Sequence, residues 1–375
     1  MSEGALEGDY SKRSSRWKTI LAALVLALIL TIIVSLDIGF AATSHPGMKM
    51  PPISFMQILY ILGKQIPLVG SKINSAAIFK SPGDQASAQA IIMQIRLPRI
   101  FAGALVGAGL AAAGVIYQGI FRNPMADSYL LGASAGASVG YTVAVLYVTS
   151  AVSLIGLGTA QTFAFIFALL TVFLVFFISR VGNRIPITTL LLSGIVVNIF
   201  LLAIETLMEL RSGRALTGIV AWLAGGFSII VWIQVWAIMP FIFIGIAITY
   251  FFTRDLNMLS MGDETAQHLG VNTERVRIFL LIIASLMTAA AVAISGVIGF
   301  VGLIIPHMTR LIIGPDHRIL LPASAIVGAI FLVICDAAAR VATGVAELPV
   351  GVITALVGTP FFIYLLRRRK TTYSL

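Results

Sequence analysis

The residues that could do chemistry in this chain are few. Four histidines, one cysteine and 15 carboxylates are spread over 375 positions. The lone Cys335 excludes an internal disulfide framework and a cysteine-rich metal site. No two histidines stand at the spacing of an HExxH pair. His307, in IPHMTR, has no second ligand at helical spacing, so it reads as a hydrogen-bonded structural histidine and no metal is expected. No GxSxG nucleophile elbow occurs. Gly63-Lys64 lacks the earlier glycine of a phosphate-binding loop, so the chain is expected neither to be an enzyme with its own ATPase site nor to need a cofactor. One polar stretch breaks this background: GDETAQHLG, residues 262–270, between two long apolar runs. Asp263 can cap a helix there, and Gly270 can supply the left-handed residue that ends it. A helix of about two turns is marginal alone and must pack on something.

Composition says what holds that helix. Hydrophobic residues make up 59% and charged ones 11%, with a mean hydropathy of +1.01. A soluble domain would carry roughly a quarter charged residues. The chain therefore reads as an all-α polytopic membrane protein. Its net charge of +10 sits at the ends of apolar runs, which is a topology signal and gives no reason to expect nucleic acid. The run Ile20–Leu36 is longer than the roughly 7–15-residue core of a signal peptide and nearly spans a bilayer. It reads as an uncleaved first helix, residues 19–36, after a tail, residues 1–18. Residues 37–90 are too polar and too dotted with lysine and proline to span.

Beyond them, charge-free windows predict a bundle over 91–370. They are Ile100–Phe121, two spans within Ser128–Ser179, Ile185–Ala203, a span plus a short helix near Val220–Phe227, Ile278–Ile305, Ile319–Cys335 and Leu348–Leu366. That makes about ten helical elements, some short or broken. The positive-inside rule puts Arg122, Arg180, Arg184, Arg254, Arg275, Arg277, Arg310, Arg318 and the basic tail in the cytoplasm, with both termini. Lys49, Lys64, Lys72, Lys80, Arg96, Arg99, Arg211, Arg214 and Arg340 then lie outside, and GDETAQHLG lies inside.

Two places promise irregular backbone within the membrane. Gly296, Gly299 and Gly302 punctuate ISGVIGFVGLIIPH, a window too short for two full spans. One helix should end near Gly296 and a short one start near Leu303. The break either lines a water-filled path or marks close helix packing. Asn123-Pro124 should end another helix, and the small residues from Gly132 to Ser138 form a packing face or a cavity wall. Asp37, Glu205, Glu209, Asp336, Arg340 and Glu347 all map to outer ends, leaving no acid at depth of the kind an ion-coupled carrier uses.

Several blocks together resemble one family. RLPRIFAGALVGAGLAAAGVIYQGIFRNPMADSYLLGASAGASVG (96–140), LLLSGIVVN (190–198), WLAGGF (222–227), GDETAQHLGV (262–271), GVIGFVGLIIPHMTRLIIGPDHRILLPASAIVGAIF (296–331) and ELPVGVITALVGTPFFIYLL (347–366) are similar, in order, to the FecCD-type ABC permeases of iron-siderophore, haem and vitamin B12 importers. The resemblance covers roughly residues 90–370. It implies a type II ABC importer permease architecture, a homodimer in the lipid bilayer of the cytoplasmic membrane, two cytoplasmic ATP-binding subunits and an extracytoplasmic substrate-binding protein. By the same resemblance, Gly262, Asp263, Glu264, Thr265, Ala266, Gln267, His268, Leu269 and Gly270 are the helix that couples to the ATPase. Arg96, Arg99 and Arg340 match positions that dock the binding protein, although outer arginines also snorkel as plain helix anchors. Arg211 and Arg214 can do either. Asn123, Pro124 and Met125 match one side of a cytoplasmic gate. The hydroxyls of Thr188 and Thr189, after Pro186, can line the other side, cap their helix, or do both. The segment 37–90 is longer than the family's usual connection and is either disordered or an added contact.

Overall fold

Residues 3–38, 53–64, 78–79, 81–149, 151–153, 155–182, 185–342 and 347–370 are described by the computed structural model, and among them fifteen α-helices form and no strand does. In chain order they are α1 Glu3–Asp37, α2 Phe55–Lys64, α3 Pro82–Ala90, α4 Leu97–Ile120, α5 Ala133–Tyr147, α6 Thr159–Ser179, α7 Ile187–Arg211, α8 Leu216–Leu223, α9 Trp232–Phe251, α10 Thr253–Ser260, α11 Asp263–His268, α12 Thr273–Ser295, α13 Val301–Ile313, α14 His317–Val341 and α15 Val350–Lys370. Seven stretches are long and apolar enough to cross a membrane: Arg16–Asp37, Gly83–Ile120, Thr159–Ser179, Ile187–Arg211, Trp232–Phe251, Thr273–Ser295 and His317–Val341. With α5, α8, α13 and α15 they make eleven elements among the described residues where about ten were expected, α8 being the short helix foreseen near Val220–Phe227. Lys49, Lys72, Lys80 and Arg184 lie outside the described residues.

The centre of the bundle is α4, which is buried along almost its whole length. Its small residues make that possible. A Cβ on Gly107 would collide with the carbonyl of Gly328 in α14, and one on Gly114 with the carbonyl of Gly302 in α13. Backbones can approach this closely only where neither helix carries a side chain at the crossing, the usual device of packing in lipid. Gly136 and Gly140 do the same for α5 against Thr171, Phe167 and Phe163 of α6. Gly132 and Gly136 thus give that small-residue stretch a packing role against α6.

The second span starts well before Ile100. Helix α3 runs into a π-helical turn, Ile91–Arg96, and on into α4 without a break. Pro98 has no N–H and would clash in a regular α-helix. The π-turn absorbs the defect: the Leu97 amide reaches back to the carbonyl of Ile92. The indole of Trp232 donates to the carbonyl of Met93 at 2.6 Å, so the irregular turn keeps its backbone satisfied. Arg96 and Arg99 are therefore inside a long helix, not at the start of one. Around this turn α2 adds a second apolar cluster, Ile58, Tyr60 and Ile61 against Leu36, Phe79, Ile92, Leu97 and Ile100. Part of the long segment 37–90 is thus folded onto the bundle.

The break at Gly296 is where it was expected, and it is tightly held. Gly296 (φ 66) ends α12 and Phe300 (φ 71) precedes α13. Tyr129 Oη donates to the Ile298 carbonyl at 2.9 Å and accepts from its amide at 3.1 Å. Gly226 N–H donates to the Ser295 carbonyl at 2.8 Å. A Cβ on Gly296 would strike the Trp222 carbonyl, whereas one on Gly299 would meet nothing within 4 Å. Close packing explains the first glycine, and open space lies beside the second.

The acids are more buried than their sequence positions imply. Helix α7 continues past Ala203 to Arg211, so Glu205 is inside it, 4% exposed, with Oε1 accepting from Thr142 Oγ1 at 2.6 Å. Asp336 is inside α14 and 1% exposed. Asp127 lies beside Gly302 at the N-terminal end of α13 and accepts from the Ser128 amide at 2.7 Å. A carboxylate is favoured at a helix N-terminus. Glu205 and Asp336 thus lie within the last two turns of α7 and α14, the helix ends expected, but are buried there, and Asp127 is a further, partly buried acid that the sequence reading did not place.

Candidate functional site

Two polar regions occupy opposite ends of the bundle. The first is built on α11. Gly262 (φ 123) turns the chain out of α10, and Gly270 (φ 87) takes the left-handed conformation that ends α11, as expected. Ala266 is the buried residue of α11, packed with Leu259 and Val271. Glu264, Thr265, Gln267, His268, Leu269 and Gly270 are exposed. The two-turn helix is thus seated by one small apolar face and presents the rest outward. Asp263 does not cap it, because Gly262 holds the N-cap position. The Asp263 carboxylate is drawn instead to Arg277 Nη2 at 2.7 Å.

Arg277 is the residue that sequence reasoning undervalued, since it counted there only as a cytoplasmic charge. It is 5% exposed and also reaches Glu274 at 3.3 Å. Glu274 Oε1 in turn accepts the backbone N–H of Ile185 at 2.7 Å, just before α7. On the other side, Asp263 faces Arg122 at 3.7 Å. A cavity of about 820 Å³ opens among Arg122, Ile185, Pro186, Gln267, Glu274 and Arg277.

The gate candidates lie at this same end. Asn123 is exposed and its Oδ1 accepts the Met125 amide at 2.9 Å, fixing the turn after α4. Pro124 and Met125 are partly buried. Thr188 is exposed and Thr189 partly buried at the start of α7, whose N-cap is Pro186 with no side-chain cap. Thr188 and Thr189 therefore do not hold the N-cap position.

The second region is at the other end, where α1 finishes. Arg99 is 7% exposed and Arg340 3%. Arg99 Nε donates to both oxygens of Asp336, at 2.9 and 3.1 Å, and Nη1 to Glu347 Oε2 at 2.8 Å. Arg340 Nε meets Asp336 at 3.2 Å, and Nη2 donates to Ser35 Oγ at 2.6 Å. Arg340 Nη1 donates to the Ile38 carbonyl, and Arg96 Nη1 to that of Leu36. Arg99 and Arg340 are thus engaged within the chain: Asp336 meets both guanidinium groups and Glu347 that of Arg99. Arg96 is partly buried, while Arg211 and Arg214 are exposed.

Among the described residues, no group of three or more histidines, cysteines and carboxylates could hold a metal ion. The two ends carry networks of ion pairs and hydrogen bonds, an arrangement that suits mechanical linkage and docking.

Comparison with known proteins agrees with that character. The profile of the FecCD transport family matches residues 54–368. The cobalamin import system permease protein BtuC of Halobacterium salinarum is 46% identical over 288 residues, 77% of this chain and 76% of the relative. The hemin transport system permease protein HmuU of Yersinia pestis is 38% identical over 281 residues, 75% of this chain and 84% of the relative. A solved metal-chelate type ABC transporter in an inward-facing conformation superposes with a TM-score of 0.76 at 31% identity, covering 94% of this chain and 99% of the other.

Proposed function

The chain belongs to the FecCD transport family, and from that premise we propose that it is the membrane-spanning permease subunit of an ATP-driven importer for a metal chelate. The substrate class is the one its relatives carry: iron-siderophore, haem or cobalamin. The observation that carries the reading is α11, a short helix seated by Ala266 that exposes its polar face at one end of a membrane bundle. Two ATP-binding subunits bind there, and ATP binding moves α11. An extracytoplasmic binding protein docks at the end where α1 finishes, with Arg96, Arg99 and Arg340 as its candidate anchors. The permease pairs with a second copy. In support of pairing, α7 leaves Leu192, Ile195, Val196, Ile199 and Phe200 exposed, and α15 leaves Leu356 and Val357.

The path runs past Asn123, Pro124, Met125, Thr188 and Thr189. None of these five side chains is charged, so they grip substrate weakly and selection falls to the binding protein. Transport then proceeds as a two-state rearrangement biased from a distance.

Leucine at both Glu264 and His268 tests the reading. Both residues are exposed, so the fold is expected to persist. Co-purification of the ATPase and ATP-dependent uptake in vesicles should each fall about tenfold or more, as at a contact hot spot. Unchanged association and uptake would refute the coupling role.

Topology gives a second check. A tag inserted beside Lys64 should be labelled on intact cells, and one at the C-terminus only after permeabilisation, since the basic loops belong inside. The reverse pattern would overturn the orientation.

Ion-coupled carriage is the other reading. It draws on Glu205, whose buried Oε2 has no hydrogen-bond partner among the described residues. It requires transport down an ion gradient by the permease alone. The expected result is no such transport.

A further inference from the structure

Four charged residues link α11 to the two segments beside the inner mouth. They are Arg122 after α4, Asp263 in α11, and Glu274 and Arg277 in α12. Two are cations and two are anions, so the cluster has no surplus charge with which to hold an ionic ligand. Its connectivity is the informative part. The Arg277 guanidinium is fixed by burial and bridges Asp263 at 2.7 Å and Glu274 at 3.3 Å. Glu274 carries the link to the Ile185 amide at 2.7 Å, two residues before α7. Asp263 carries it to Arg122 at 3.7 Å. Arg122 sits at φ 50, directly before the Asn123-Pro124 turn.

We propose that Arg277 and Asp263 form the junction through which displacement of α11 reaches both the 122–125 turn and the start of α7 together. The inference rests on the importer reading above and assigns positioning roles to Arg122, Glu274 and Arg277.

The physics supports a link over a simple staple. Asp263 is the first residue of α11, so any tilt of that helix moves its carboxylate. The Arg277 partner is buried and cannot follow solvent, so the motion passes to Glu274 and onward. The Arg122 contact is longer and more exposed, with 42% of its side chain accessible. Exposed pairs of this kind add little stability. Breaking it should therefore leave the fold intact while uncoupling one of the two segments. The cavity of about 820 Å³ between these residues gives the junction room to move.

The test uses the full complex of permease, ATPase and binding protein in liposomes, with ATP hydrolysis and substrate uptake measured on the same preparation. Arg122→Gln should assemble normally and hydrolyse ATP within about twofold of the parent. Uptake per ATP should fall about tenfold, within the usual range of an allosteric coupling. Arg122→Lys, which keeps the charge, should restore most of it. Glu274→Ala should lower uptake per ATP in the same way, and Glu274→Gln, which keeps an acceptor for the Ile185 amide, should do so less. If uptake and hydrolysis fall in proportion to lost assembly, the cluster is only a staple and the inference is wrong. Unchanged uptake per ATP in both Arg122→Gln and Glu274→Ala overturns it too. If no ATPase associates with the parent chain, the importer reading fails and takes this inference with it.

Discussion

Valine in place of Gly107 is expected to abolish accumulation of the folded chain. The new side chain would point at the Gly328 carbonyl, which is backbone in the middle of α14 and cannot rotate aside. Inserting carbon into a packed core typically costs about 1–3 kcal/mol, and more where nothing can yield. Here the two helices would have to separate along the crossing that joins α4 to α14, the most buried part of the bundle. Detergent-extracted protein should lose its monodisperse peak, with yield down about tenfold or more, since each 1.4 kcal/mol is a factor of ten. Gly218→Ala is the control. Gly218 lies in α8, and a Cβ there meets nothing within 4 Å. That change should be neutral or stabilise by up to about 1 kcal/mol through helix propensity. A Gly107→Val protein with normal yield and melting temperature would show that the α4–α14 crossing has more slack than its geometry allows.

The glycines at these crossings also show what a sequence discloses and what it withholds. That α4 would span was legible, because a bilayer demands long charge-free runs. Which of its glycines meets which partner was not, because Gly107 and Gly328 are brought together only by the tertiary fold. Helix ends were misjudged for a related reason. Charge was taken to end a span, yet α7 passes Glu205 and Glu209 before stopping at Arg211, since neighbouring helices shelter the acid and Thr142 hydrogen-bonds it. The second window was taken to begin at Ile100, yet a π-turn accommodates Pro98 and the helix starts well before it. The break at Gly296 was legible because three glycines and a proline within eleven residues leave few alternatives. GDETAQHLG was visible as a helix in need of a partner. Its first residue was misread, because nothing local reveals that Asp263 is committed to a buried arginine fourteen positions away. Arg99 and Asp336 are 237 positions apart, so their pairing was beyond any reading of spacing.

That pairing yields the other large effect. Alanine at Asp336 would remove the carboxylate that Arg99 and Arg340 share, leaving two guanidinium groups 7% and 3% exposed with that partner gone. Removing one member of a buried ion pair typically costs about 3–5 kcal/mol, because the remaining charge stays desolvated. Asp336→Ala should therefore lower the melting temperature and yield sharply, and Asp336→Asn, which keeps an acceptor, should do so less. Glu347 is different. Its side chain is 26% exposed against 2% for Asp336, so it holds the accessible edge of Arg99. Glu347→Gln should cost little stability and leave Arg99 held by Asp336. It should also free the position a carboxylate from a docked binding protein would need. If Arg99 anchors that partner, Glu347→Gln should tighten binding several-fold, more at low salt than at moderate salt, as an accessible charge pair requires. A dissociation constant identical to the parent's at both salt concentrations would end the docking role of Arg99. The fully buried Arg340, bound to Ser35 and Ile38 of the first helix and its exit, would then stand with it as part of the scaffold.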